Sequence, residues 1–178
     1  MPRVFASATP REAPPPAELI RLHRHSLIHL LVLRGAAAER AHIANAFHRE
    51  SPLRLGPFVA LRCDRDETRL QAALRGSLAG ADRDLGENPL RASEGGTLFL
   101  DGVERLSLET QRLLVGFLSG LSSANSSGEA LAWAGRLAVG SAADLAGEVE
   151  AGRFLPSLYD SIDKIRIELG PGAEGEAP

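Results

Sequence analysis

Apolar residues in this chain fall into short blocks separated by longer stretches of mixed polarity. Residues 28–33 are apolar apart from His29, residues 57–62 carry Phe58, Val59 and Leu61, and residues 95–101 read Gly-Gly-Thr-Leu-Phe-Leu-Asp. Residues 136–140 form a fourth block, and 165–169 alternate apolar and charged positions. Runs of this length, bounded by Gly and polar residues, predict strands, and the unbroken ones predict strands covered on both faces. The intervening stretches follow a helical period. Helices are expected over 17–25 (Leu19, Ile20, Leu22), 36–49 (Ile43, Ala46, Phe47) and 66–75 (Leu70, Ala73, Leu74). Further helices are expected from a Ser107 cap to about 118 (Leu113, Leu114, Phe117, Leu118), over 142–151 and over 154–162. Strand–helix alternation throughout predicts an α/β fold with three αβα layers and a mostly parallel sheet. The small residues 76–81, the polar 82–88 and the serine-rich 122–128 are expected to be surface loops. Proline-rich residues 1–16 and Gly/Pro/acidic residues 171–178 are expected to be tails, leaving 17–170 as one domain.

The block at 95–101 bears most directly on function. An Asp at the C-terminal tip of a buried parallel strand lies where open α/β sheets hold ligands. In nucleotide hydrolases such an Asp helps hold Mg²⁺, and a neighbouring group orients the attacking water. Here Asp101 is followed by Gly102. A phosphate loop should join the 28–33 strand to the next helix, with the pattern GxxxxGK[ST]. The window instead reads Arg34-Gly35-Ala36-Ala37-Ala38-Glu39-Arg40-Ala41. Arg34 and Glu39 replace the two glycines, Arg40 the lysine and Ala41 the hydroxyl residue. Alanine favours helix, so residues 36–38 are expected to wind the helix backwards through the loop. Glu39 adds negative charge where a polyphosphate would lie. Arg40 keeps a positive charge, but as a helix residue it is expected to be solvated.

Composition narrows the classes. The chain has 178 residues, 44% hydrophobic, with a formal net charge of −3. That length supports one domain, and the charge argues against direct DNA binding. A single cysteine, Cys63, excludes an internal disulfide and fits a reducing, cytoplasmic setting. At a strand end it reads as a small core residue. No apolar run reaches membrane-span length, and no secretion signal is visible at the N-terminus. His25 and His29 are four apart, a spacing that places both on one face of a helix. No further ligands cluster near them, so solvated or capping histidines are expected and no metal site.

Several colinear segments resemble the AAA+ core of bacterial enhancer-binding proteins, the sigma-54-dependent transcriptional activators, over about residues 18–170. The segment Gly95 to Asp101 is nearly identical to that family's second nucleotide motif. Gly56-Pro57-Phe58-Val59-Ala60 with Cys63, and Ala46-Phe47-His48, match further segments. So do Gly152-Arg153-Phe154 with Leu158-Tyr159, and Arg166-Ile167-Glu168-Leu169. The resemblance implies a P-loop NTPase (AAA+) core, here without the C-terminal helical lid and without attached DNA-binding or receiver domains.

The resemblance also assigns roles, and this chain departs from most of them. Gly35, Arg40 and Asp101 stand as a vestigial nucleotide pocket. Gly102 occupies the place of the family's catalytic Glu, and Arg62 that of the Asn that switches it. Ser141 and Ala142 replace a γ-phosphate sensor, and Leu155 and Ser161 replace two intersubunit arginines. Gly76, Ser77, Leu78, Ala79, Gly80 and Ala81 resemble a shortened remnant of the sigma-contact loop. No catalytic residue and no cofactor is therefore expected, although the family uses ATP and Mg²⁺. The expectation is a catalytically inactive core that acts as a protein–protein scaffold or regulator of transcription. Its expected partners are intact family members or further copies of itself. A weak or atypical ATPase using Arg40 and Asp101, and a remnant without function, stand as alternatives.

Overall fold

The computed structural model describes residues 15–25, 27–80, 87–127 and 133–170. In chain order the elements are α1 (Pro16–Leu22), β1 (Leu30–Leu33), α2 (Ala37–Arg49), β2 (Phe58–Arg62), α3 (Cys63–Leu78) and α4 (Pro89–Ala92). β3 (Thr97–Asp101), a 3-10 turn (Val103–Arg105), α5 (Leu108–Ser127), β4 (Arg136–Ser141), α6 (Leu145–Glu150), α7 (Pro156–Ile162) and β5 (Ile165–Glu168) follow. The five strands form one wholly parallel sheet in the order β2-β3-β4-β1-β5.

Burial follows position in the sheet. β1 and β4 are buried along their whole length, and β3 is buried up to Asp101. Edge strand β5 alternates buried and exposed, as its sequence does. On one face, Leu31, Leu33, Leu98, Leu100, Leu137 and Val139 meet Leu70 and Leu74 of α3, Leu114, Phe117 and Leu118 of α5, and Leu158 and Ile162 of α7. On the other, Leu30, Val32, Phe99, Ala138, Ile165 and Ile167 meet Ile20 of α1 and Ala44 and Phe47 of α2. Side chains alternate across each strand, so the unbroken apolar runs supply two cores, one per face. Trp133 plugs the edge of the first core. It lies 5.6 Å from the Phe117 ring, and its indole N–H donates to the Leu90 carbonyl at 2.8 Å.

Several boundaries differ from the sequence expectation. Pro16 opens α1 rather than closing a tail. α3 takes in Gly76, Ser77 and Leu78, which were expected in a loop. The helix persists because Leu78 reaches across to Gly116 of α5, where the missing side chain leaves room for it. α5 likewise runs to Ser127, through the serine-rich stretch expected to be a loop. Ser122 and Ser123 donate their hydroxyls to the carbonyls of Leu118 and Ser119, which accommodates serine inside a helix. α6 starts at Leu145 instead of near 142, because the Asp144 side chain caps it by accepting from the Ala146 amide. α4 was not expected at all; Asn88 caps it and Pro89 starts it. His25 and His29 do not share a helix face, because α1 ends at Leu22 and His29 lies in the non-helical segment just before β1.

Candidate functional site

The strand order places β4 between β1 and β3, so the C-terminal tips of these three strands frame one crevice. β3 ends on Asp101, opposite Gly140 of β4. β1 runs into Arg34 and Gly35, and α2 begins two residues later. Arg40, one turn into α2, points back into the crevice. Its Nε donates to Asp101 Oδ1 at 2.6 Å, and Nη2 donates to Oδ2 at 3.1 Å. Its Nη1 donates to the carbonyls of Gly35 at 2.6 Å and Arg34 at 3.2 Å. Arg40 is only 5% exposed, so the expectation of a solvated helix residue is wrong. A charged side chain this deep is retained only when paired and hydrogen-bonded, and here all three nitrogens find acceptors.

The loop explains the pairing. Arg34 and Gly35 are consecutive left-handed residues, with φ of 65° and 63°. Two such residues cannot continue a right-handed helix, and Ala36 is extended, so the expected backward winding over 36–38 stops at Ala37. The Glu39 carboxylate fixes that start by accepting from the Ala36 amide at 2.7 Å. This reach of the third helical residue back to the N-cap amide is half of a capping box. The loop therefore turns two carbonyl oxygens into the crevice and commits an amide at the helix start to a carboxylate.

That polarity decides which ligand class suits the crevice. A phosphate loop wraps an anion with backbone N–H groups at a helix start. Here two loop carbonyls and Asp101 of β3 surround the Arg40 guanidinium, and the Glu39 carboxylate takes the Ala36 amide. A triphosphate would meet acceptors, and a metal ion on Asp101 would meet the Arg40 guanidinium. The residues present do not fit a nucleotide–Mg²⁺ pair; they fit a guanidinium, and Arg40 supplies it.

The flanking positions make local contacts. Gly102 has φ of 77°, a region where a side chain is strained, and its amide donates to Gly140. Arg62 is turned outward and paired with Asp64 at 2.8 Å. Cys63 is buried in the core, and burial pushes its thiol pKa up, away from reactivity. Ser141 is buried; its hydroxyl bonds within its own turn, to the Ala143 amide and carbonyl, and its carbonyl accepts from the Arg34 amide at 2.8 Å. Leu155 packs against the core, and the Ser161 hydroxyl donates to the Ser157 carbonyl. Of the six small residues 76–81, the first three belong to α3, Ala79 and Gly80 form its exit turn, and Ala81 lies outside the described residues. Among the described residues no group of three His, Cys, Asp or Glu is placed to hold a metal ion.

Gln111 was not foreseen. It is fully buried at the start of α5 and grips the segment before α7. Its Nε2 donates to the carbonyls of Leu106 and Arg153, and its Oε1 accepts from the Leu155 amide at 2.8 Å. Gln111→Met, similar in volume, removes the side-chain partner of three backbone groups, one buried and two part-buried. It is expected to cost about 2 kcal/mol or more in chemical denaturation.

A family model described as the Sigma-54 interaction domain matches residues 17–168. The chain belongs to the sigma-54 interaction domain family. It is similar to the PTS-dependent dihydroxyacetone kinase operon regulatory protein of Escherichia coli (strain K12), at 29% identity over 170 residues, 91% of this chain and 26% of that protein. It is 30% identical over 169 residues to the DNA-binding transcriptional regulator NtrC of Proteus hauseri, covering 90% of this chain and 36% of the relative. This sigma-54 interaction domain thus spans about a quarter to a third of the length of these transcriptional regulators. Among solved structures, NtrX from Brucella abortus in complex with ATP superposes with a TM-score of 0.69 at 20% identity, over 86% of this chain and 35% of that one. The P-loop NTPase domain of an E. coli sigma-54 activator superposes with a TM-score of 0.57 at 20% identity, over 87% and 92%. The fold is therefore that of the AAA+ P-loop NTPases, as the resemblance implies, and its parallel sheet is the one the alternation of elements predicts. No helix among the described residues is long and apolar enough to cross a membrane.

Proposed function

We propose that this sigma-54 interaction domain does not hydrolyse nucleotide and serves as a protein-binding module in transcriptional regulation. The observation that carries the reading is the Arg40 guanidinium seated on Asp101 and on the carbonyls of Arg34 and Gly35. It occupies the crevice that a phosphate–metal pair needs, and it does so with a planar fork of donors matched to a carboxylate and two carbonyls. Gly102 supports the same reading, because it brings no carboxylate to orient water beside Asp101. The apolar framework that builds both cores stands beside these replacements, which is the pattern of a domain kept for its surface. Its partners are intact members of the same family or further copies of this chain, with no direct contact to DNA and a cytoplasmic setting.

Titration calorimetry with ATP and Mg²⁺, run beside a phosphate-release assay, tests the absence of chemistry. No binding heat and no turnover are expected; micromolar binding with measurable release would overturn the reading. Co-purification with an intact sigma-54 activator of the same cell, or a concentration-dependent rise in mass of the isolated chain, tests the module role. Absence of both would remove it.

A further inference from the structure

Resting on that reading, we infer that Arg40 is a built-in ligand: its side chain ties the tips of β1 and β3 together across β4 and stabilises this end of the sheet without nucleotide. Three elements meet at this one guanidinium. Asp101 belongs to the tip of β3, the Arg34 and Gly35 carbonyls to the exit of β1, and the arginine itself to the first turn of α2. The contact joins residues 61 apart in sequence.

The surroundings are shaped for the pair. Gly140, on the strand that separates the two tips, lies directly beneath it. A Cβ there would sit 2.5 Å from Asp101 Oδ1 and 3.3 Å from Arg40 Cδ. Any other residue at 140 would push the carboxylate or the arginine stem aside. Arg34, strained at φ 65°, turns its carbonyl inward, and that strain persists only where the neighbourhood over-determines it. Both side chains of the ion pair are withdrawn from water, with 6% and 12% of the arginine and aspartate exposed. Removing either partner strands the other as a buried charge, which destabilises far more than the pair as a whole stabilises. A fork of planar N–H donors against a carboxylate and two carbonyls is specific to guanidinium, and an ammonium cannot reproduce it.

Thermal unfolding of the full chain tests this with four variants. Arg40→Ala and Asp101→Ala are each expected to lower Tm by roughly 10 °C. The double variant is expected to fall no further than the worse single, because it strands no charge. Millimolar guanidinium chloride, compared with sodium chloride at equal ionic strength, is expected to raise Tm of Arg40→Ala and to leave the double variant unmoved. Arg40→Lys, the mild variant kept for the case in which the alanine variants do not fold, is expected to lose several degrees. Additive losses, no response to guanidinium, or an Arg40→Lys protein as stable as the wild type would each overturn the inference. ATP with Mg²⁺ is expected to leave wild-type Tm unchanged. A rise there would instead count against the non-hydrolytic reading, so the two failures are told apart.

Discussion

Gly96→Ala is expected to abolish folding. The entry into β3 crosses the entry into β2 at backbone contact. A Cβ on Gly96 would lie 1.9 Å from the Pro57 carbonyl oxygen and 2.7 Å from its nitrogen. Neither atom belongs to a flexible side chain, so the clash is relieved only by separating the strands. That separation breaks the bond from the Thr97 amide to the Pro57 carbonyl, the first rung between β2 and β3. The bond from the Arg136 amide to the Gly96 carbonyl, which starts β4 against β3, would go with it. A loss above about 4 kcal/mol is expected, comparable to the whole stability of many domains of this size. Soluble yield and far-ultraviolet circular dichroism read it directly. The neighbouring glycine is the control. Gly95 has φ of 67° but open space around its Cβ position. Gly95→Asn should cost only about 1 kcal/mol, because Asn visits the left-handed region at modest expense. The two adjacent glycines thus serve different ends, one for space and one for conformation. If Gly96→Ala folded with a near-native spectrum, the close approach of β2 and β3 would be wrong.

The strands and their order of appearance could be read from the sequence because their physics is local. Strands with continuous apolar centres survive only where both faces are covered, and β1, β3 and β4 are those strands. The alternation in Ile165 to Glu168 marks an edge strand in the same way. Helix ends were misread where composition and packing disagree. Gly76 and the serines after Leu121 discourage helix by propensity, yet Leu78 against Gly116 and the serine hydroxyl bonds hold the turns in place. Tertiary contact overrides propensity of this size. Asn88-Pro89 is a helix start by residue type, a cap followed by proline, set inside a polar stretch that otherwise reads as loop.

The candidate site was legible as a set of residue types and illegible as an arrangement. The departures at 34–41 and at Gly102 are visible in one dimension. That Arg40 turns inward is not, because its partner is 61 residues away and the carbonyls it meets depend on two left-handed residues. The signal available was the coincidence of an arginine at the lysine position with a surviving Asp101. A lone buried carboxylate at a strand tip needs a cation, and once phosphate and metal are set aside the nearest candidate is that arginine. Gln111 gave no sequence signal, since its partners are backbone groups of another segment.

Acid is expected to destabilise the domain progressively as pH falls from about 6.5 to about 4. Two histidines sit near the N-terminal end of the sheet, facing Arg136. His29 is held down to about 4, first by burial and then by the charges of Arg136 and Lys164, with the Leu137 backbone partly opposing. Its Nδ1 is buried without a hydrogen-bond partner among the described residues. His48, 4% exposed, is lowered first by burial and then by Arg136, with the Gly56 backbone partly opposing, and its Nδ1 lies 3.0 Å from the Thr97 hydroxyl. Arg136 is itself fully buried, lies 4.3 Å from the centre of the Phe47 ring, and is lowered to about 10 by desolvation. Two neutral imidazoles therefore share an end of the core with a buried guanidinium. The unfolded chain binds protons near pH 6.5 and the folded chain resists them until about 4 at His29, so folding loses free energy as pH falls through that window. Above 6.5 no penalty exists, and below 4 the His29 contribution is constant. A shift of this size corresponds to up to about 3 kcal/mol for His29 alone. Urea midpoints measured at half-unit steps from pH 8 to 4.5 should fall steadily below 6.5. His29→Leu, which removes the titration, should flatten much of that fall while leaving stability at pH 8 within about 1.5 kcal/mol of wild type. Equal slopes for the two proteins would show that His29 stays solvated enough to protonate in the folded state.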